Sequence, residues 1–339
     1  MHPRELRICS NCILPETFPG ISFDEKGVCN HCHQEEAHFS DAFKKKALYR
    51  RKLNDLISVV KGQASTYDVV IAYSGGKDSS YTIKLLKETY RLRIVALTFD
   101  NHFMSPTAWE NIRAVSNRLE IDHITFKPPW QLLKDVFCLA SVEDIFPAAT
   151  LLRASTICTS CIGMVKGLVL KTALELSIPL IAFGWSPGQA PIRSAIMKTN
   201  PALTLESQKA FKSAFPKDIA SRMESYLIPA PYYEVYKDSF PCNIHPLAFF
   251  EYDEEKIKIE LESVGWKPPP DTDSNSTNCL LNAFANQCHL DRHGFHPYVW
   301  EIANMVRRGD MSRKDGIEKI YAAHDPRMVD YARLKLRIE

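Results

Sequence analysis

The chain has 339 residues, 45% of them hydrophobic, which is enough core for about two modules and excludes a mainly disordered protein. Lys and Arg number 42 against 40 Asp and Glu, a net charge of +2, which excludes a polybasic nucleic-acid coat and argues against electrostatic attachment to a membrane. No apolar run is read as approaching the ~20 residues of a membrane span, and the opening residues lack the apolar core of a secretory signal, so the cytoplasm is the expected compartment.

Residues 1–36 are turn-rich and hold the pattern Cys9-x2-Cys12-x16-Cys29-x2-Cys32. Two CxxC pairs at this spacing can each clamp one edge of a tetrahedral ion, so a structural zinc ribbon is expected here. Iron is the smaller alternative. His31 and His33 could substitute as ligands, but four cysteines already fill the shell. Residues 37–62 read as a linker, with a helix over 38–61 from the spacing of Phe43, Ala47, Leu48, Leu53, Leu56, Ile57 and Val60. Its basic stretch (Lys44, Lys45, Lys46, Arg50, Arg51, Lys52) is either a solvated face or a grip for RNA phosphates.

From Tyr67 to Tyr73 the run is β-branched and aromatic, as in a buried parallel strand. The loop Ser74-Gly75-Gly76-Lys77-Asp78-Ser79-Ser80 follows, then a helix to about Thr89. Glycines that admit phosphate, placed before a helix N-terminus, make an anion cradle; the Walker A spacing is absent. The plain alternative is an ordinary strand–turn–helix. A strand at Ile94–Phe99, a helix at 106–119, a strand at His123–Lys127 and a helix at 130–140 continue the alternation. A helix at about 160–176 and a strand at Pro179–Gly184 follow. The expected fold is therefore α/β: a parallel, doubly wound sheet over 63–250, with the zinc ribbon before it and a helical region, 251–339, after it.

Asp100 and Asn101 end the second strand, where a ribose or adenine contact and a plain strand cap are equally good readings. Gly188 and Gln189 lie in a loop that could close over the same crevice, and Arg193 could bind phosphate. Cys158-Thr159-Ser160-Cys161 stands before a helix, whose free amides would favour thiolates. Three readings stay open for this pair: a redox or persulfide couple, an iron–sulfur site completed by Cys279, or a structural role. Cys138 reads as a core residue; Cys242 and Cys288 show no pattern. Residues 201–227 look helical, and 228–250 offers one strand to the sheet edge. Asp253–Val264 reads as a helix ended by Gly265, and Lys267–Asn278 as a linker or an active-site loop. The last sixty residues look all-helical, with Ser312 and Asp315 resembling a capping box.

The loop SGGKDSS resembles that of the PP-loop, or N-type, ATP pyrophosphatases. That resemblance implies that Ser74, Gly75, Gly76, Ser79 and Ser80 hold pyrophosphate, that Asp78 positions Mg(II) and that Lys77 adds positive charge. The opening CSNCILPETFPGISFDEKGVCNHC, the CTSC pair and the tail from Asn278 resemble the N-acetyl sugar amidotransferases within that group. This implies ATP-dependent adenylation of an acetamido carbonyl on a nucleotide- or lipid-linked sugar in surface-glycan biosynthesis. Ammonia from a separate glutaminase subunit would then attack the activated carbon. The rival is sulfur transfer to a nucleobase, in tRNA or a smaller molecule, by Cys158, Cys161 and Cys279, with a [4Fe–4S] cluster or a persulfide. A non-enzymatic nucleotide-binding scaffold is the third reading.

Overall fold

The computed structural model describes residues 6–36, 42–189, 191–273, 275–322 and 325–338. Its six strands are β1 (Val69–Ala72), β2 (Ile94–Phe99), β3 (Asp122–Phe126), β4 (Leu180–Phe183), β5 (Ile196–Lys198) and β6 (Cys242–Ile244). They form one sheet in the order β3-β2-β1-β4-β6-β5, parallel throughout except where β5 meets β6. Before the sheet lie α1 (Asn30–Glu36) and α2 (Ala42–Val60). The helices α3 (Lys77–Glu88), α4 (Pro106–Leu119), α5 (Trp130–Val142), α6 (Ala148–Leu151) and α7 (Thr156–Glu175) alternate with β1 to β4. After β5 come α8 (Pro201–Ser213), α9 (Lys217–Met223) and α10 (Tyr232–Val235). The C-terminal region holds α11 (Glu254–Glu262), α12 (Asn282–His293), α13 (Val299–Arg308), α14 (Arg313–Tyr321) and α15 (Pro326–Leu336).

The central strands read as unbroken apolar runs because both of their faces are covered. Val69 and Ile71 point into one core, with α2, α3, α4, α11, α13 and the amino-terminal cysteines. Val70 points into the other, with α5, α7, α9, α12 and α15. The chain runs β1-β2-β3 toward one edge and returns through α7 to β4, on the far side of β1. That reversal opens a crevice beyond the carboxyl ends of β1 and β4, the place where open α/β sheets take their ligands.

Several local expectations need correction. The segment 228–250 does supply a strand, but β6 is internal and β5 lies outside it. Met197 and Lys198 of β5 are exposed, so that short strand has no apolar signature. The helical stretch 201–227 breaks at Pro216, which cannot continue a helix and instead starts α9. Ser312 caps α14 as expected, but the Asp315 carboxylate accepts from the Ser312 hydroxyl at 2.6 Å instead of the usual reciprocal backbone bond. Contrary to the sequence reading, α7 is long and apolar enough to cross a bilayer. It packs against α5, α12, β1 and β4, with half of its most apolar stretch buried, as a core helix does. Residues 38–41 of the predicted linker helix lie outside the described residues, as does the opening segment 1–5.

Candidate active site and metal centre

The phosphate-type loop leaves β1 at Tyr73 and enters α3 at Lys77. Gly75 has φ +74°, and a Cβ there would lie 2.4 Å from the Ala108 carbonyl oxygen, so only glycine fits this turn. The Gly75 carbonyl accepts from the Trp266 indole N–H at 2.9 Å. The Ser79 hydroxyl donates to the Gly76 carbonyl at 3.1 Å and lies 3.2 Å from the Ser74 hydroxyl. Ser80 is fully buried, 3.3 Å from the Tyr73 hydroxyl. Gly184, at the exit of β4, is the second obligate glycine: a Cβ there would meet the Ser79 Cα at 2.5 Å. The two walls of the crevice therefore touch backbone to backbone.

Lys77 is buried, and its ammonium faces carboxylates. It lies 2.9 Å from Asp78, 3.4 Å from Glu254 and 2.6 Å from the Tyr252 hydroxyl, which also donates to Asp78 at 2.9 Å. Burial alone would push Lys77 down, but the charges of Asp78 and Glu254 outweigh it and raise its pKa. Burial likewise works against the Glu254 carboxylate, yet Lys77 and Lys319 hold it below the usual range. Sequence reasoning did not find Tyr252, Glu254 or Thr277. The Thr277 hydroxyl accepts from the Lys77 backbone N–H at 2.9 Å, so the chain at Thr277 lies against the loop.

Two residues beyond Thr277, the chain reaches Cys279. One Asn101 amide nitrogen lies 3.5 Å from the Cys279 sulfur and 3.9 Å from that of Cys161. Asn282, at the start of α12, reaches Cys158 at 4.0 Å and the Tyr298 hydroxyl at 2.9 Å. Cys158, Cys161 and Cys279 are thus gathered at the carboxyl end of the sheet. The dipole expectation for the pair is overturned. Cys158 and Cys161 sit inside the opening turns of α7, and Ser155 already takes the Cys158 amide at 3.2 Å. Burial pushes Cys158 up to about 11 and raises Cys161 and Cys279 as well.

Asp100 accepts from the His102 amide at 2.9 Å and pairs with Lys127 at 3.1 Å. Gly188 packs on α13, where a Cβ would lie 2.2 Å from the Glu301 carbonyl oxygen. Gln189 accepts from the Ser186 amide at 2.9 Å, and Arg193 is exposed on a short turn. Glu301 takes a close hydrogen bond from the Ser186 hydroxyl. Burial pushes the Glu301 carboxyl up to about 7; the Ser186 bond opposes this, and the Asp78 charge adds to it. Nothing in the spacing of the sequence marked Glu301, Asn282 or Tyr298.

The amino-terminal cysteines are buried, and their four sulfurs all lie within 4.8 Å of one another. The sulfur–sulfur contacts are 3.8 Å for Cys9–Cys32, 3.8 Å for Cys12–Cys29 and 3.6 Å for Cys29–Cys32. A tetrahedral ion with metal–sulfur bonds of about 2.3 Å requires edges of about 3.8 Å, so the set fits one four-coordinate metal. Bonds from Cys12, Cys29 and Cys32 hold Cys9 far below the usual thiol value. The Arg307 guanidinium donates to the Cys12 sulfur at 3.4 Å, and Arg313 donates to the Cys12 and Cys9 carbonyls at 2.9 and 2.8 Å. Tyr321 adds a bond to the Ile13 carbonyl at 2.7 Å. The module is thereby latched to α13 and α14. His33 turns away to Asp24 at 3.0 Å, and His31 packs on Phe18 and Trp300. The trio behaves differently: among the described residues, only the amino-terminal four are close enough to share a single ion.

No known family profile matches the chain. It is 23% identical over 330 residues to an uncharacterised protein of Methanocaldococcus jannaschii, covering 97% of this chain and 98% of that one. Among solved structures it is similar to a U34-tRNA thiolase of Methanococcus maripaludis with its [4Fe–4S] cluster. That likeness has TM-score 0.35 and 16% identity over 98% of this chain and 99% of the other. It is also similar to an NH3-dependent NAD synthetase of Campylobacter jejuni, with TM-score 0.30 and 13% identity over 59% of this chain and 98% of the other. At this level of likeness neither neighbour's activity passes to this chain.

Two outcomes follow from the geometry. A strong chelator should strip one equivalent of metal and expose α13 and α14 to limited proteolysis together, because the latch runs through Cys9, Cys12 and Ile13. Loss of metal with those helices still protected would contradict the latch. Glu301 should also set a pH dependence. Its pKa is raised from 4.5 to about 7, so the native state keeps a proton that the unfolded chain has lost, and stability from this group falls as pH rises across that window. Urea unfolding between pH 4.5 and 7 should show this decline in the native protein and a flatter profile in Glu301→Gln.

Proposed function

We propose that the chain is an ATP-dependent enzyme of the PP-loop type that activates a carbonyl oxygen as its adenylate and then passes sulfur to the carbon. The observation that carries the sulfur step is the gathering of Cys158, Cys161 and Cys279 next to a segment that also touches the loop. Sulfur transfer gives three gathered thiols a chemical task, as cluster ligands or as a persulfide carrier, which the attack of ammonia does not itself require.

Ser74, Gly75, Gly76, Ser79 and the free amides of α3 offer donors to departing pyrophosphate. Asp78 is the carboxylate at the loop, placed to help hold Mg(II), while Lys77 and Tyr252 fix its position. In the first step the acceptor oxygen bonds to the α-phosphorus and the α–β bridge breaks. In the second a sulfide equivalent attacks the carbon, the carbon–oxygen bond breaks and AMP leaves with the oxygen. Asn101 and Asn282 orient the sulfurs. The trio is not close enough to share a single ion; three cysteines are a ligand set that leaves one iron of a [4Fe–4S] cluster open, and a persulfide on one of them is the other form. The amino-terminal four suit zinc, in a closed shell with no catalytic position.

A second reading, nitrogen transfer to an N-acetyl sugar, has in its favour the resemblance of the amino-terminal segment, the SGGKDSS loop, the CTSC pair and the tail to that family, so all three cysteines fall within that resemblance too. One assay separates the two. Pyrophosphate and AMP release would be followed with sulfide and bulk tRNA, and in parallel with ammonium and a nucleotide-linked N-acetylhexosamine. Sulfide-dependent release that falls at least a hundredfold in Cys279→Ala supports sulfur transfer. Ammonium-dependent release untouched by that substitution overturns it.

A further inference from the structure

Beside the cysteine trio lies a cavity of about 490 Å³ that no step above uses. His102, Trp130, Gln131, Lys134, Lys335 and Arg337 line it. The exit of β2 supplies His102, the first turns of α5 supply Trp130 to Lys134, and the end of α15 supplies the rest. The lining has three permanent cations and no acid, in a chain whose net charge is only +2.

The cations are not there to neutralise one another's neighbours. Lys134 and Arg337 make no ion pair with any described residue. Asp135, next to Lys134, is held by Arg222 at 2.7 Å and by Gln131 at 2.7 Å. Lys335 donates to the His102 carbonyl and lies 4.6 Å from the Phe103 ring and 5.8 Å from that of Trp130. The His102 ring is fixed by a 2.7 Å contact to the Pro128 carbonyl and packs on Trp130, with centroids 5.5 Å apart. The wall is therefore aromatic and rigid, and its rim is cationic. A helix end collects some cations for its dipole alone. That accounts for Lys335 and Arg337, but not for Lys134 on another helix or for the indole between them.

We propose that this cavity binds one nucleotide unit of the acceptor, its base against Trp130 and its phosphate on Lys134 and Arg337. Flat rings beside guanidinium and ammonium groups are the recurrent means of holding a base together with its phosphate. The volume lies in the range of small-ligand pockets. The position is also apt: His102 follows Asn101, which touches Cys161 and Cys279. A nucleotide seated here holds its neighbouring group near the sulfurs. The proposal rests on the reading above only in calling the nucleotide part of the acceptor; binding itself needs neither ATP nor sulfur. The same chemistry has two sources, a residue within an RNA strand or the nucleoside diphosphate of a nucleotide-linked small molecule.

The test is binding by the full chain with Mg(II) and α,β-methylene-ATP present, so that the loop is already occupied. The probes are a fluorescein-labelled single-stranded RNA of mixed sequence, read by anisotropy, and uridine diphosphate, read by calorimetry. The double variant Lys134→Glu/Arg337→Glu changes partly exposed side chains, and Trp130→Ala tests the wall separately. Lys217→Glu/Lys237→Glu, both exposed and outside the cavity lining, controls for general charge. At least tenfold weaker RNA binding in both cavity variants, with under twofold change in the control, supports an RNA nucleotide. The same loss for uridine diphosphate alone supports a nucleotide-linked small molecule. Unchanged binding of both probes, an equal loss in the control, or no binding by the native protein overturns the proposal. Unfolding midpoints within a few degrees of native show that any loss is local. Pyrophosphate release can persist while this binding fails, so the two readings fall separately.

Discussion

The parallel register of β1 with both of its neighbours is the constraint on which the rest depends. Val69 to Ala72 pair with Ile94 to Leu97 on one side and with Leu180 to Phe183 on the other. Because all three strands run the same way, their exits open at one edge. The Ser74 loop, the Asp100–His102 turn and Gly184 become neighbours although they are far apart in sequence. A side chain at Gly184 would force β4 away from α3, so the closeness of the crevice walls depends on that one missing Cβ.

The carboxyl-terminal third then builds upon this edge. Trp266 bonds to the Gly75 carbonyl, Thr277 takes the Lys77 amide, Cys279 meets Asn101 and Asn282 meets Cys158. Four contacts within seventeen residues tie the loop to the thiols. The Trp266 indole N–H is buried, and leaving such a group without a partner is costly. Loop and trio are therefore held at a fixed separation, which the proposed two-step transfer needs. The same region reaches the metal centre through Arg307 and Arg313, so it also fastens the amino-terminal module.

Much of this was legible in the residues. The apolar runs of β1, β2 and β4 are unbroken because both faces are covered, and such runs announce themselves. The CxxC pairs and SGGKDSS carry their chemistry in fixed local spacing. What escaped was non-local. Tyr252 and Glu254 look like ordinary loop and helix residues until the fold sets them on Lys77. Lys77 looks like a free phosphate ligand until the same carboxylates claim it. The thiolate expectation for Cys158 failed because helix position was weighed and burial was not. The strand β5 was invisible because an exposed three-residue edge needs no hydrophobic pattern.

The most direct test of the sulfur-transfer account is the bound inventory of the trio. Iron, acid-labile sulfide and cyanide-releasable sulfur would be measured in protein purified without oxygen, alongside zinc, for the native chain and for Cys279→Ala. The account predicts zinc near one per chain in both, and sulfur in one of the two labile forms that is present in the native protein and lost in the variant. Zinc alone, with no labile sulfur in either protein, would contradict it and leave nitrogen transfer as the better reading of the same loop.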